Sequence, residues 1–381
     1  MSGRSRPRPS TYLDWNATAP LRPEAIAATA AALERCGNPS SVHRWGRSAR
    51  RMIEDSRAAV AAMIAAMPEN VVFGSGGTEA NHLALRGAGR ERILVSAVEH
   101  DSVLRAQADA ERIPVDRHGV VELDALANML ASEDRPALVS VMLVNNETGV
   151  IQPVAEIAQL AHAHGALFHC DAVQAAGKIS LDMAEIGADL LTLSAHKLGG
   201  PAGVGALTLA AGVELTPILC GGGQERGRRA GTENVVGIIG FGAAARAAKA
   251  EIAVYESVRT LRDALEAEII AAAPDAIVVG SDVPRLPNTV AIAMPGVPAE
   301  TQVIALDLDG VMVSAGAACS SGKVGPSHVL AAMNVPLEVA SSTIRVSLGW
   351  STTKDDIDRF IQSWTALYRR RRGFPQEARA A

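Results

Sequence analysis

The side chains best suited to chemistry stand at the ends of apolar runs. Leu190-Leu-Thr-Leu-Ser-Ala-His-Lys197 closes on a hydroxyl, an imidazole and an amine, which is how an α/β fold presents a lysine for Schiff-base formation. Upstream, Ala166-Leu-Phe-His-Cys-Asp171 ends in a carboxylate, with Gln174 shortly after it. A lysine to form an imine and an aspartate to hold a pyridine nitrogen protonated are the two protein groups that pyridoxal phosphate (PLP) chemistry demands.

Ligands of an open parallel sheet gather beyond the carboxyl ends of its strands, so what each run ends in tests for a site. Gly74-Ser-Gly-Gly-Thr78 opens a helix whose first N–H groups and dipole suit a phosphate. It is no dinucleotide fingerprint, because Glu79 stands at the third glycine position, and no Walker loop, because no Gly-Lys-Ser/Thr follows. Ser194 and His196 add side-chain donors for the same phosphate. Other runs end in Glu99-His100 and in Asn145-Asn146-Glu147. Asp171 reads either as the partner of a pyridine nitrogen or as a helix N-cap. His100 reads either as a ring-stacking proton shuttle or as a structural histidine.

Arg345 lies within an alternating apolar run, where a buried guanidinium needs an anion; a substrate carboxylate and a structural ion pair both satisfy that need. Cys319 sits in Ser314-Ala-Gly-Ala-Ala-Cys-Ser-Ser-Gly322, small residues that leave a thiol uncovered on a movable loop and suit a nucleophile. Cys36 and Cys170 read as small buried apolar residues, and Cys220, beside three glycines, stays open. His162 and His164 are spaced two apart on a helix and do not face one site, so no metal is expected.

Seven short β-branched runs must position these groups: Val71 to Phe73, Arg92 to Ala97, Ile113 to Asp116, Ala137 to Val144, Ala166 to Cys170, Leu190 to Ser194 and Val204 to Leu209. Their alternation with helical stretches predicts an α/β large domain with a seven-stranded, mostly parallel sheet covered by helices. The last run follows its predecessor after only a glycine-rich turn, too short for a crossover helix, so it must pair antiparallel or lie apart. A single helical pattern runs from Thr232 to about Ala273. Four further strands, Ala276 to Val279, Thr289 to Ala293, Val311 to Ser314 and Thr343 to Leu348, alternate with helices in a smaller α+β domain. The expected division is an N-terminal segment 1–18, with 1–10 disordered and the remainder joining the small domain, a large domain 19–255 and a small domain 256–381 carrying the Cys319 loop.

A formal net charge of -5 among 381 residues, with basic residues scattered, gives no electrostatic footprint for nucleic acid. No apolar stretch is long enough to span a membrane, and no apolar segment follows the basic N-terminus as it would in a signal peptide. Four cysteines without paired spacing imply reduced thiols and a cytoplasmic protein.

These motifs resemble the cysteine desulfurases of the NifS/IscS kind, fold type I PLP enzymes of the class V aminotransferase group. The resemblance spans nearly the whole chain, through Tyr12-Leu-Asp-Trp-Asn-Ala-Thr-Ala-Pro20, Gly37-Asn-Pro-Ser40, Gly76-Gly-Thr-Glu79, Glu99-His100, Val144-Asn-Asn-Glu147 and Asp171-Ala-Val-Gln174. It continues in Ser194-Ala-His-Lys197, Gly221-Gly-Gly-Gln-Glu-Arg226, Arg229-Ala-Gly-Thr232, the Cys319 loop and Ser342 to Gly349. It implies that Lys197 holds PLP, Asp171 meets the ring nitrogen, Gln174 bonds the ring oxygen and Asn146 contacts the ring. His100 stacks and moves protons, and Gly77, Thr78, Ser194 and His196 bind phosphate. It also implies substrate binding by Arg345 and Asn38, and a homodimer in which Thr232 reaches the phosphate of the neighbouring subunit. The implied reaction takes sulfur from L-cysteine onto Cys319 as a persulfide, releases L-alanine and passes the sulfur to an iron-sulfur scaffold or other acceptor protein. Ala195 and Ala317 stand where many relatives carry glycine and serine. A selenocysteine lyase, another class V PLP enzyme or an idle PLP-fold scaffold are the alternative readings.

Overall fold

The computed structural model describes residues 10–35, 37–316 and 327–371. The expected disorder of 1–10 therefore falls almost wholly outside the described residues, as do Cys36, Ala317 and Cys319. The strands, numbered along the chain, are β1 (Thr11–Tyr12), β2 (Val71–Gly74), β3 (Arg92–Ser96), β4 (Glu111–Ile113), β5 (Ala137–Ser140), β6 (Leu167–Asp171) and β7 (Leu190–Ser194). They continue with β8 (Gly205–Leu209), β9 (Ile277–Val279), β10 (Thr289–Ala293), β11 (Val311–Met312), β12 (Ser314–Ala315) and β13 (Thr343–Ser347).

One compact unit comprises Thr18–Asn146 and Val150–Ala253. Its seven-stranded sheet has the order β2-β8-β7-β6-β5-β3-β4. The pairs β3/β4, β3/β5, β5/β6 and β6/β7 are parallel. β8 lies antiparallel to both β7 and β2, one of the two outcomes left open by the glycine-rich turn before it. Every residue of β3, β5, β7 and β8 is buried, as a sheet covered on both faces requires. The helix Gly77–Gly87 packs its Ala80, Leu83 and Ala84 into the same apolar cluster as Val72, Val95, Leu138 and Leu207.

The second unit comprises Met1–Ala17, Glu147–Gly149 and Val254–Ala381. A four-stranded antiparallel sheet, β12-β13-β10-β9, accompanies the parallel pair β1-β11. Leu13, Val290, Ile292, Ile344, Phe360 and Trp364 form its buried core.

Three sequence expectations are corrected. The helix expected from Thr232 to about Ala273 is two helices, Val235–Ala250 and Val254–Ala272. The break coincides with the boundary between units, because Ala243, Ala244 and Ala248 are buried before it while Tyr255, Val258 and Leu265 serve the other unit's core after it. The strand expected at Val311 to Ser314 divides into β11 and β12, which join different sheets. The strand expected at Ile113 to Asp116 is Glu111–Ile113, and the chain beyond it doubles back, Asp116 N donating to Val120 O at 2.8 Å.

Candidate active site

The end of β2 turns into the helix Gly77–Gly87 through Gly76, whose φ of 156° lies in a region open to glycine alone. No side chain caps that helix, so its first N–H groups are left to a ligand. Glycine is also required by space. A Cβ on Gly77 would lie 3.1 Å from Val173 Cγ2 and 3.5 Å from Ser194 Cβ, so the first helical turn rests against the end of β7. A Cβ on Gly205 would come within 2.7 Å of the Gly76 backbone. Outside the loop, Glu79 accepts from Ser75 N at 2.7 Å and from Arg229 Nε at 2.8 Å, which holds its carboxylate below the usual range despite the opposing effect of burial.

Beyond β7 the chain makes one short helical turn, Ala195–Lys197, that carries His196 and Lys197. Burial, then the charges of Lys197 and Lys178, lowers the His196 imidazole to about 4. His196 is therefore neutral at physiological pH. Its Nδ1 lies 3.2 Å from Thr18 Oγ1; with that hydroxyl donating, the ring hydrogen sits on Nε2, where it can serve an anion.

Asp171 ends β6 and is opposite Thr192 of β7, which brings its carboxylate to the same edge of the sheet as Ser194. It is 6% exposed, with Val173 N donating to Oδ1 at 3.0 Å and Asn81 Nδ2 donating to Oδ2 at 2.7 Å. His100 caps the short helix Asp101–Leu104 and accepts Ser102 N at Nδ1, 3.0 Å away. Gln174 is buried, and its Oε1 accepts from the buried Lys178 ammonium at 2.9 Å, which directs Nε2 the other way. Asn146 is buried in a turn held by Asn145, which donates from its side chain to Val98 O at 3.0 Å and from its backbone to Val150 O at 2.9 Å.

The donor set fits PLP on its own geometry: an uncapped helix start packed against Ser194, a neutral donor at His196, a doubly supported carboxylate at Asp171 and an amine at Lys197. Over residues 11–360 the chain matches the family described as Aminotransferase class-V, a family of PLP-dependent enzymes. It is 46% identical to the cysteine desulfurase of Cereibacter sphaeroides, covering 92% of this chain and 94% of that protein. It is 42% identical to the cysteine desulfurase IscS of Dictyoglomus turgidum, covering 91% of each. The X-ray structure of a NifS-like protein from Rickettsia africae superposes with a TM-score of 0.88 at 36% identity, over 94% of this chain and 99% of that one. The chain is a class V aminotransferase family member of the cysteine desulfurase group.

Three further expected site residues have surroundings of their own. Thr232 is exposed. Asn38 is exposed in a turn of its own, where Oδ1 accepts from Ser40 N at 2.9 Å. Arg345, in the middle of β13, is 2% exposed, and its Nη2 meets Asp14 Oδ1 at 2.8 Å, the ion pair that its sequence context allowed. Cys170 is buried and Cys220 exposed. Among the described residues, no helix is long and apolar enough to cross a membrane.

Other residues of the site gave no signal in the sequence. Asn81, Ser102 and Lys178, which bond Asp171, His100 and Gln174, are absent from the sequence candidates. The buried pair of Arg57 and Glu225 also went unseen: Nη1 to Oε2 is 2.6 Å and Nη2 to Oε1 is 2.9 Å, and the same Oε2 takes Phe73 N at 2.9 Å. This pair anchors the segment before Thr232 to the strand that leads into the Gly74–Thr78 loop. Glu225 and Arg226 both have positive φ there, 47° and 57°, a backbone that the pair helps to hold. A buried salt bridge between residues 168 apart has no local sequence signature.

Proposed function

We propose that the protein is a PLP-dependent cysteine desulfurase that moves sulfur from L-cysteine to Cys319 and releases L-alanine. The observation that carries this reading is the placement of Asp171 and the Ser194–Lys197 turn at the ends of adjacent parallel strands, in a chain similar to cysteine desulfurases over almost its full length. PLP, when bound, supplies the electron sink for charge developing at the substrate α-carbon. Asp171 would hold the proton on the ring nitrogen, and Lys197 would provide the amine that ties the cofactor. Gly77, Thr78, Ser194 and His196 would hold the phosphate, Gln174 would donate from Nε2 to the ring oxygen, and Asn146 would contact the ring. His100 moves a proton at its ring nitrogen. Arg345 and Asn38 receive the substrate carboxylate, Arg345 exchanging its Asp14 contact for it. The Cys319 thiolate attacks the substrate sulfur; as the new sulfur–sulfur bond forms, the carbon–sulfur pair stays with the substrate β-carbon, which takes up a proton to become the methyl group of alanine, leaving a Cys319 persulfide. A homodimer in which Thr232 completes the neighbouring phosphate site, a cytoplasmic setting and transfer to an iron-sulfur scaffold or another acceptor complete the reading.

The test measures alanine and sulfide from L-cysteine with reductant, for the wild type and Cys319→Ala, together with the mass of the Cys319 peptide. Equal alanine and sulfide with a sulfur adduct on Cys319, and loss of sulfide release in the variant, are expected. Full activity in Cys319→Ala would overturn the reading in favour of a lyase. His100→Gln is expected to lower kcat by roughly 10²–10⁴, the usual contribution of a positioned proton-transfer group.

A further inference from the structure

Asn81 lies one turn into the helix Gly77–Gly87, is 1% exposed and spends both hydrogens of its amide. One goes to Asp171 Oδ2 at 2.7 Å and the other to Ser102 Oγ at 2.8 Å. Its Oδ1 is buried with no hydrogen-bond partner among the described residues. Turning the amide over would set that oxygen against the Asp171 carboxylate, so the orientation is fixed. An orphaned buried carbonyl is a defect that an apolar residue of similar size would avoid, and the amide is retained for its two hydrogens.

The direction of the remaining bonds follows. Ser102 Oγ accepts from Asn81, so its own hydrogen is available to His100 Nδ1, 2.8 Å away. The backbone N–H of Ser102 can only donate, and it also points at Nδ1, at 3.0 Å. Nδ1 therefore acts as an acceptor toward two donors, and the ring carries its hydrogen on Nε2.

We propose that Asn81 and Ser102 are positioning residues that fix the tautomer of His100, confining its proton exchange to Nε2, and that tie the ring's orientation to the Asp171 carboxylate. The amide is well suited to this link because it orients both ends while passing no proton between them. Asp171 and His100 can then keep separate charges although only two side chains separate them. This rests on the desulfurase reading only for the kinetic part of its test.

The test uses the cofactor-loaded protein labelled with ¹⁵N-histidine, with the His100 ring signals assigned by their loss in His100→Gln. In the wild type, Nδ1 is expected to show the shift of an unprotonated nitrogen and Nε2 that of a protonated one, as a single tautomer. Ser102→Ala removes one donor to Nδ1 and is expected to raise the fraction protonated at Nδ1 about fivefold, the equilibrium equivalent of one ordinary hydrogen bond. Asn81→Leu is expected to do the same by releasing the Ser102 hydroxyl, whereas Ser102→Thr, which keeps the hydroxyl, restores the wild-type spectrum. In turnover, a fivefold rise in a minor tautomer leaves much of the ring in the productive form, so Ser102→Ala is expected to lower kcat by no more than about twofold and to leave KM for L-cysteine unchanged. Ring-nitrogen signals identical to wild type in both Ser102→Ala and Asn81→Leu would overturn the proposal. A wild type that makes no alanine from cysteine would overturn the functional reading instead, and the nitrogen spectra would still decide the tautomer.

Discussion

Glu99 is fully buried at the edge of the sheet, with Oε1 2.6 Å from Met142 N, and burial, reinforced by the charge of Asp171, raises its carboxyl well above the usual range. The folded protein favours the neutral acid, so this group's contribution is complete below the ordinary carboxylate value and is lost as pH rises toward the raised one. Glu99→Gln keeps an acceptor for Met142 N and removes the titration. The variant's stability relative to wild type is expected to rise as pH climbs above the ordinary carboxylate value, by up to about 1.4 kcal/mol per pH unit, until the raised value is passed. Urea unfolding across that range checks it; a difference that stays flat with pH sinks it. His169 works in the opposite sense: burial lowers its imidazole to about 3, between Ser140 Oγ at 2.8 Å and Thr192 Oγ1 at 2.9 Å. Its stabilisation is present above the ordinary histidine value and falls as pH drops, by about 2 kcal/mol at pH 5. Comparing Glu99→Gln with wild type at each pH cancels this term. Lys197, Asp171 and His100 were legible in the sequence because each follows an apolar run and breaks its pattern. Asn81 and Ser102 were not, because their meaning lies in a three-way contact among a helix, a cap and the end of β6.

The Gly74–Thr78 loop depends on a glycine of a neighbouring strand. Gly205 lies opposite Gly74 on β2 and Ser194 on β7, and a methyl group there would meet Gly76 backbone atoms at 2.6 and 2.7 Å and Leu193 O at 2.7 Å. Gly205→Ala is expected to destabilise by about 1–3 kcal/mol through overpacking and to weaken cofactor retention, read by urea unfolding and by cofactor content after dialysis. An alanine variant with wild-type cofactor content would show that the loop adjusts. The Arg57–Glu225 pair makes a second prediction. Arg57→Met leaves a buried carboxylate without its cation and is expected to lose about 3–5 kcal/mol, while Arg57→Met combined with Glu225→Leu recovers part of the loss. A double-mutant cycle measures the coupling, and strictly additive losses would deny it. The strands were legible because buried parallel strands read as short apolar runs bounded by glycine and polar residues. The two-helix break at Glu251–Ala253 was not, because no proline or glycine marks it; each helix instead changes which core it serves.

At the scale of the whole molecule, the unit that contains β9 to β13 draws its first strand from the other end of the chain. Leu13, fully buried, sits in one apolar cluster with Ile344, Phe360 and Trp364. Leu13→Ala is expected to cost about 2–5 kcal/mol. Hydrogen exchange should show lost protection in β10, β13 and the helix Lys354–Arg371, with β5, β6 and β7 unchanged. Equal loss in both sets of strands would show that the two units unfold as one. The parallel pairing of Thr11 with Val311 and Tyr12 with Met312 also constrains how the protein is made. Translation produces β1 long before its partner, which follows 300 residues later. At roughly 5–20 residues per second, that strand waits about 15–60 s without a neighbour. The unit that ends at Ala253 has all its strands well before then, so a nascent chain arrested short of Val311 should hold that unit folded while β1 stays open to protease.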